Sequence, residues 1–366
     1  MIGLLVVIIF CVICAHLVQQ RTYFYLSARD GIKRDLISKI LYIGIVGAFI
    51  WFAGLRSSYN DTSAYMWNFE LIDTNNINLN ILRQAYGGFD LYQEVIKKYI
   101  STNPQVFIFV TAMVTNVLYL RFYTRNTKKF TEMILLYAIG NYIFCMAGLK
   151  QAIAIGIGLY AIDSYMKGRY IKAIIILLIA MMFHPYIICL ICIPFLRDRI
   201  WDKKSILVIV LCILAFMNMD KVFEVFEVIG KDYSGENFND YTINPIRVLI
   251  EFVPVGISFV YRHKLNENAS GMLTLGINMR NISFIFIAMG LVANPIYFGR
   301  MSTYFTVLSA ITVPEMLDIC WENKKIYIWG YYVFFFLYFI MDMTKIGSIS
   351  IFYDQFNRVA FSSLFL

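Results

Sequence analysis

The chain has 366 residues, of which 60% are hydrophobic and only 15% charged, with a formal net charge of +8. So little polar surface excludes a soluble globule of this size and points to a polytopic membrane protein. The basic excess lies in short turns between apolar stretches, where anionic lipid headgroups account for it, so no nucleic-acid partner is expected.

A helix needs roughly 20 mostly apolar residues to cross a bilayer, and it satisfies its own backbone there. The first such stretch, 2–19, has its charges behind it at Arg21, Arg29, Lys33 and Arg34. It therefore reads as an uncleaved helix with its N-terminus outside rather than as a secretory signal. Spans follow at 37–55, 104–120, 130–148 and 150–166. The apolar run 171–196 is broken at His184-Pro185. A helix break or hairpin there keeps Arg197, Arg199, Lys203 and Lys204 on the cytoplasmic side, with Arg121, Arg125, Lys128, Lys129, Lys167, Arg169 and Lys172. Spans at 205–218, 246–261, 274–293, 301–318 and 326–343 complete the series. The expectation is an all-α transmembrane helical bundle of about 12 membrane segments. It forms a single integral membrane domain over 1–366 of the cytoplasmic membrane, with both termini outside.

Two longer extracytoplasmic loops are predicted, at about 56–103 and 219–244. The first mixes Tyr59, Asp61, Tyr65, Trp67, Glu70, Tyr86, Phe89, Asp90, Tyr92 and Glu94. Aromatic faces stack on sugars while carboxylates hydrogen-bond their hydroxyls, so the mixture suits a polyhydroxylated ligand; a pair of interfacial helices is the competing reading. In the second loop, Val222 to Ile229 alternates apolar and acidic residues as an amphipathic helix would. The seven cysteines lie almost wholly inside apolar runs, and the CxxC pairs Cys11/Cys14 and Cys189/Cys192 read as packing residues. Ala152 with Gly156 permits close helix packing, within the chain or between copies.

Charged residues at or inside membrane segments are costly, which makes them functional candidates. On this topology Arg56, Asp61, Lys150, His184 and Arg300 converge on the outer side; Arg247 joins them at a span start, and Arg280 is deeper. Guanidinium and ammonium groups beside a carboxylate and a histidine suit a lipid-linked phosphate substrate: the cations take the phosphate oxygens, and Asp61, Glu94 or His184 deprotonates an attacking hydroxyl. Helix-end anchoring by snorkelling is the alternative for the cations. No metal or cofactor is required, since there is neither a phosphate-binding glycine loop nor a cluster of metal ligands.

The order of several motifs resembles EpsG-like proteins, the Wzy-type polymerases of bacterial exopolysaccharide and capsule pathways. These are Gly54-Leu55-Arg56 with Asp61-Thr62-x-x-Tyr65, Gly87-Gly88-Phe89 with Glu94, Gly148-Leu149-Lys150-Gln151-Ala152, Ala180-Met181-Met182-Phe183-His184, and Gly299-Arg300-x-x-x-Tyr304-Phe305. The family usually has arginine where this chain has Lys150.

The resemblance implies glycosyl transfer at the outer face of the cytoplasmic membrane. A polyprenyl-diphosphate-linked oligosaccharide would be the donor and a second lipid-linked repeat unit the acceptor. Arg56, Lys150 and Arg300 would hold the diphosphate, with Tyr65, Glu94, Gln151, Arg280 and Tyr304 as further substrate-binding residues. Asp61 is the first choice of base and His184 the second. The flippase and chain-length regulator of the same pathway would be partners. A flippase or transporter of the same lipid, and an O-antigen-ligase-type transferase, are the alternative functions.

Overall fold

The computed structural model of the chain describes residues 1–21, 36–73, 79–218, 243–292, 295–322, 324–345 and 356–365. Among these the structure is helical, with a single isolated antiparallel bridge between Arg56 and Arg358. Most of the expected second loop, including Val222 to Ile229, lies outside the described residues, as do Arg29, Lys33 and Arg34.

Among the described residues, six helical stretches are long and apolar enough to cross a membrane: Ile2–Arg21, Leu36–Gly54, Pro104–Arg125, Phe130–Ala147, Gly271–Met289 and Lys325–Thr344. The other predicted spans correspond to helices that are shorter or less apolar. The break at His184-Pro185 is present: one apolar helix ends at Phe183, and a 3-10 segment, Pro185–Cys192, follows. Proline supplies the reason, because it disfavours helical backbone at the residue before it and brings no N–H of its own.

The residues group into two compact units: Met1–Tyr160 with Met182–His184 and Phe334–Leu366, and Ala161–Met181 with Pro185–Val333. In the first, α1 (Ile2–Arg21) and α2 (Leu36–Gly54) are followed by two short helices, α3 (Thr62–Leu71) and α4 (Gly87–Tyr99). Then come α5 (Pro104–Arg125), α6 (Phe130–Ile139), α7 (Asn141–Ala147), α8 (Leu149–Met166) and α9 (Tyr170–Phe183), the last two continuing into the other unit. Along α1, Leu4, Ile8, Cys11, Ala15 and Val18 are buried, while Val6, Ile9, Phe10, Ile13 and Leu17 are exposed. A helix apolar on both faces, with one face bare, is built for lipid on that side.

The interior of this unit is rich in tyrosine, and three of the buried hydroxyls pair as follows. Tyr137 donates to Asn116 Oδ1 at 2.8 Å, Tyr142 to the Phe49 carbonyl at 2.9 Å and Tyr119 to the Ala152 carbonyl at 3.2 Å. Gly156 faces Leu118 and Tyr119 of α5, 3.1 Å from where its Cβ would stand, so the small-residue spacing packs helices within the chain. The expected loop 56–103 is itself largely helical. Lys97 of α4 donates to the carbonyls of Phe69, Glu70 and Ile72 at 3.0, 2.7 and 2.8 Å, capping α3 with a charge of the sign its C-terminus favours.

In the second unit, α10 (Ile193–Leu196) and α11 (Lys203–Met217) precede α12 (Pro245–Val260), α13 (Arg262–Asn268) and α14 (Gly271–Met289). Then come α15 (Pro295–Thr306), α16 (Ser309–Cys320) and α17 (Lys325–Lys345), whose end belongs to the first unit. Asn278 of α14 organises this unit. Its Nδ2 donates to the Leu196 and Arg199 carbonyls at 2.8 Å each, and its Oδ1 accepts the Trp201 N–H at 3.4 Å. Asn278→Leu would remove this partner from one buried and two part-buried backbone groups, a cost of about 2–3 kcal/mol. A clear drop in the melting temperature of the detergent-solubilised protein is the expected outcome, and an unchanged value would show that the turn 196–201 is held by other contacts.

Candidate functional site

The first unit carries a turn built around a buried cation. The Cβ that Gly54 lacks would stand 2.5 Å from Phe109, so glycine lets the end of α2 press against α5. Two residues on, Arg56 is 1% exposed. Its Nε donates to Thr62 Oγ1 at 3.2 Å, one terminal nitrogen to the Met146 carbonyl at 2.9 Å and the other to the Ala53 carbonyl. Burial lowers the guanidinium to about 10, against the opposing pull of Tyr142 and Tyr59. It therefore stays charged at neutral pH, and a buried charge must be fully hydrogen-bonded. The sequence-based role of Arg56 as a direct phosphate ligand does not match this environment; it joins the ends of α2 and α7 to the start of α3.

Gln105 completes the arrangement, donating to the Gly54 and Arg56 carbonyls at 2.7 and 3.1 Å. The backbone between Arg56 and Asp61 is strained: φ is 117° at Tyr59 and 44° at Asn60. Left-handed backbone at residues other than glycine costs of the order of 1–3 kcal/mol each and persists only where surrounding structure enforces it. Asp61 follows, exposed, at the N-terminal position of α3, and makes no capping bond to that helix. Asp61 thus stands at the end of a turn whose base is fixed by Arg56 and Gln105.

A second group of residues is assembled by α4. Tyr86 precedes it with φ 64°. The missing side chain of Gly87 would stand 2.0 Å from the Ile81 carbonyl oxygen, and that of Gly88 2.7 Å from Met182 Cβ. Glycines at both positions seat the start of α4 against the end of α9, which sets Tyr86 edge-on to His184 with ring centroids 5.3 Å apart. Lys150, from the first turn of α8, lies 3.7 Å from Asp90 Oδ1, 4.7 Å from the centre of the Tyr86 ring and 5.2 Å from that of Phe89. Its side chain keeps 29% exposure. Burial raises the Asp90 carboxyl above its ordinary value, and the neighbouring ammonium opposes the shift. His184 and Gln151 are buried, and Tyr65 meets Phe89 edge-on at 5.9 Å. One carboxylate oxygen of Glu94, a turn beyond Asp90, is buried and accepts no hydrogen bond from the described residues.

The sequence model of the EpsG family matches residues 39–356. The chain belongs to the EpsG family. No curated protein and no solved structure matches it. Membership carries the coarse reading of a membrane function like that of a polysaccharide polymerase.

Of the residues that pointed to EpsG proteins, Arg56, Asp61 and Tyr65 share one turn and helix, and Lys150 and His184 meet through Tyr86. Glu94 lies on the same helix as Asp90, and Gln151 adjoins Lys150. Arg280, Arg300 and Tyr304 belong to the second unit. There Arg300 is exposed on α15 and Tyr304, one turn on, is fully buried. Arg280 is paired with Glu251 of α12. Sequence reading of this EpsG chain did not single out Tyr86 or Asp90 as partners of Lys150, nor Glu251 as partner of Arg280. The spacing of Tyr86, just before a helix opened by two glycines, and Asp90, in its first turn, was the available signal.

Three different nitrogens of the planar guanidinium reach Thr62, Ala53 and Met146, and the single nitrogen of lysine does not reproduce that fork. Arg56→Lys and Arg56→Ala are therefore expected to lose similar stability, about 3 kcal/mol or more, because the loss is geometric. Limited proteolysis should show faster cleavage within 57–73 in both variants; full protection in the lysine variant would mean that charge alone suffices.

Proposed function

We propose that this protein polymerises lipid-linked oligosaccharide repeat units for a surface polysaccharide, at the outer face of the cytoplasmic membrane. The observation that carries this reading is the grouping, in an EpsG-family chain, of a cation from the start of α8 and a histidine from the end of α9 with Tyr86 and Asp90 at the start of the short helix α4. Lys150 lies over Tyr86 and Phe89 beside Asp90, with His184 against the same tyrosine.

In the proposed reaction the donor is a glycan on polyprenyl diphosphate and the acceptor a hydroxyl at the non-reducing end of a second lipid-linked unit. The bond from the anomeric carbon to the diphosphate oxygen breaks as the bond to the acceptor oxygen forms. The acceptor proton passes to Asp61, whose position on a rigid turn suits a base that must be held within hydrogen-bond reach. The departing diphosphate gains negative charge, which Lys150, lying over the Tyr86 and Phe89 rings, offsets. Its pairing with Asp90 orients the ammonium. His184, edge-on to Tyr86, stands as the alternative proton carrier. Arg300 keeps the role of holding donor phosphate, and Arg56 that of building the turn. The stacking surface of Tyr65 and Tyr86 fits the apolar faces of sugar rings.

Asp61→Asn keeps the shape of the side chain and removes the base. Chain formation is expected to fall by about 10²-fold or more with protein level unchanged. Cells with this variant, or lacking the protein, should accumulate single lipid-linked repeat units on the outer leaflet and lose long polysaccharide. Units trapped on the inner leaflet would overturn the reading in favour of a flippase, and long chains left on lipid would do so in favour of a ligase. Arg300→Ala should raise the donor requirement far more than Arg300→Lys; equal, negligible effects would identify Arg300 as a helix anchor.

A further inference from the structure

The strained turn at Tyr59-Asn60 has a second support, from the opposite end of the chain. Ser57 N donates to the Asn357 carbonyl at 2.7 Å, Ser58 N to that of Phe356 at 3.2 Å and Val359 N to that of Leu55 at 2.9 Å. The Ser57 hydroxyl also reaches the Asn357 carbonyl, at 2.9 Å. The Phe356 ring is fully buried, stacked on Tyr59 at 4.5 Å and edge-on to Phe52 at 5.1 Å. Arg358 lies over the other side of this corner, its guanidinium 5.1 Å from the Phe52 ring centre. Further along, Asn103 donates to the Ser363 carbonyl at 2.7 Å and Phe361 stacks on Trp51 at 4.7 Å. All of these groups belong to the first unit.

We infer that residues 356–359 form a strap that holds the Arg56–Asp61 turn in its left-handed conformation, and that Phe356 is a positioning residue for the Asp61 carboxylate. A tyrosine with φ near 117° relaxes unless its surroundings hold it; the strap holds its ring, through Phe356, and the two peptide N–H groups just before it, at Ser57 and Ser58. Arg56 fixes the start of the turn and Thr62 its end, through a 2.7 Å bond from Thr62 Oγ1 to the Tyr59 carbonyl. Phe356 stacks on the Tyr59 ring, and the family match ends at this residue. The catalytic consequence rests on the proposed role of Asp61, while the strap itself does not.

The test separates the two. With cysteines at both positions, Ser57→Cys with Asn357→Cys should cross-link on mild oxidation of membranes, seen as a reducible mobility shift absent from either single variant. In membranes supplied with native lipid-linked repeat units, Phe356→Ala should lower turnover by about 10²-fold, as a displacement of about 1 Å does, with the acceptor KM little changed. Phe356→Tyr should restore it. Val359→Pro removes one strap bond without touching the ring and should lower turnover in the same sense, which covers the case of a poorly folded alanine variant. Absence of the cross-link, or normal turnover in both Phe356→Ala and Val359→Pro, overturns the inference. A cross-link that forms in a protein whose loss leaves chain length unchanged keeps the strap and overturns the polymerase reading instead.

Discussion

One buried guanidinium sets the terms for the rest of the first unit. Removing a cation from water carries a penalty that only a complete set of acceptors offsets, and Arg56 finds them on three separate elements: the last turn of α2, the end of α7 and the first residue of α3. Each bond restricts where its element can be. The carbonyl of Met146 lies just before the Gly148-Leu149-Lys150 sequence, so the same arginine that shapes the turn before Asp61 also anchors the chain entering α8, where Lys150 begins. Two groups of residues far apart in sequence are thereby referenced to a single point.

The short helices α3 and α4 fill the space between two long ones and bury an aromatic core of Phe69, Phe89 and Phe107 with Ile96, Leu149 and Ile153. Phe69 and Phe107 stack nearly parallel at 4.9 Å. Phe89 of that core also lies beneath the Lys150 ammonium. Lys150 lies over rings and not in open water, so its field is less screened and its position less free. The Gly87-Gly88 pair works in the same direction by removing side chains where α4 meets Ile81 and Met182. Contact is closest where a functional group must be placed and where any larger residue would push it away.

Much of this was legible in the sequence and some could not have been. Apolar length and the positions of Lys and Arg identified a membrane helical protein, and Pro185 marked the break at His184, because both signals are local. The order of glycine-flanked motifs carried the family. Extent was harder: a run such as 130–148 looks continuous to a hydropathy window, yet the backbone turns aside at Gly140 and divides it into α6 and α7. Long-range pairings left no periodic trace. Asp90 beside Lys150 and Glu251 beside Arg280 are separated by 60 and 29 residues, differences read directly from their numbers, and nothing in composition links them. Arg56 was recognised as functional for its charge and place at a helix end. Its burial, and with it the change from ligand to architect, depends on a carbonyl ninety residues away.

Two of the three acceptors of Arg56 are main-chain oxygens, and this shapes how the protein can evolve. A side-chain partner would have to change in step with the arginine, but the carbonyls of residues 53 and 146 are supplied by any amino acid there. Across relatives, an arginine held this way can stay fixed while the residues it grips drift freely. Paired substitutions would then not betray the contact, and the trace of the turn in an alignment would be a solitary cation followed by a threonine six positions later.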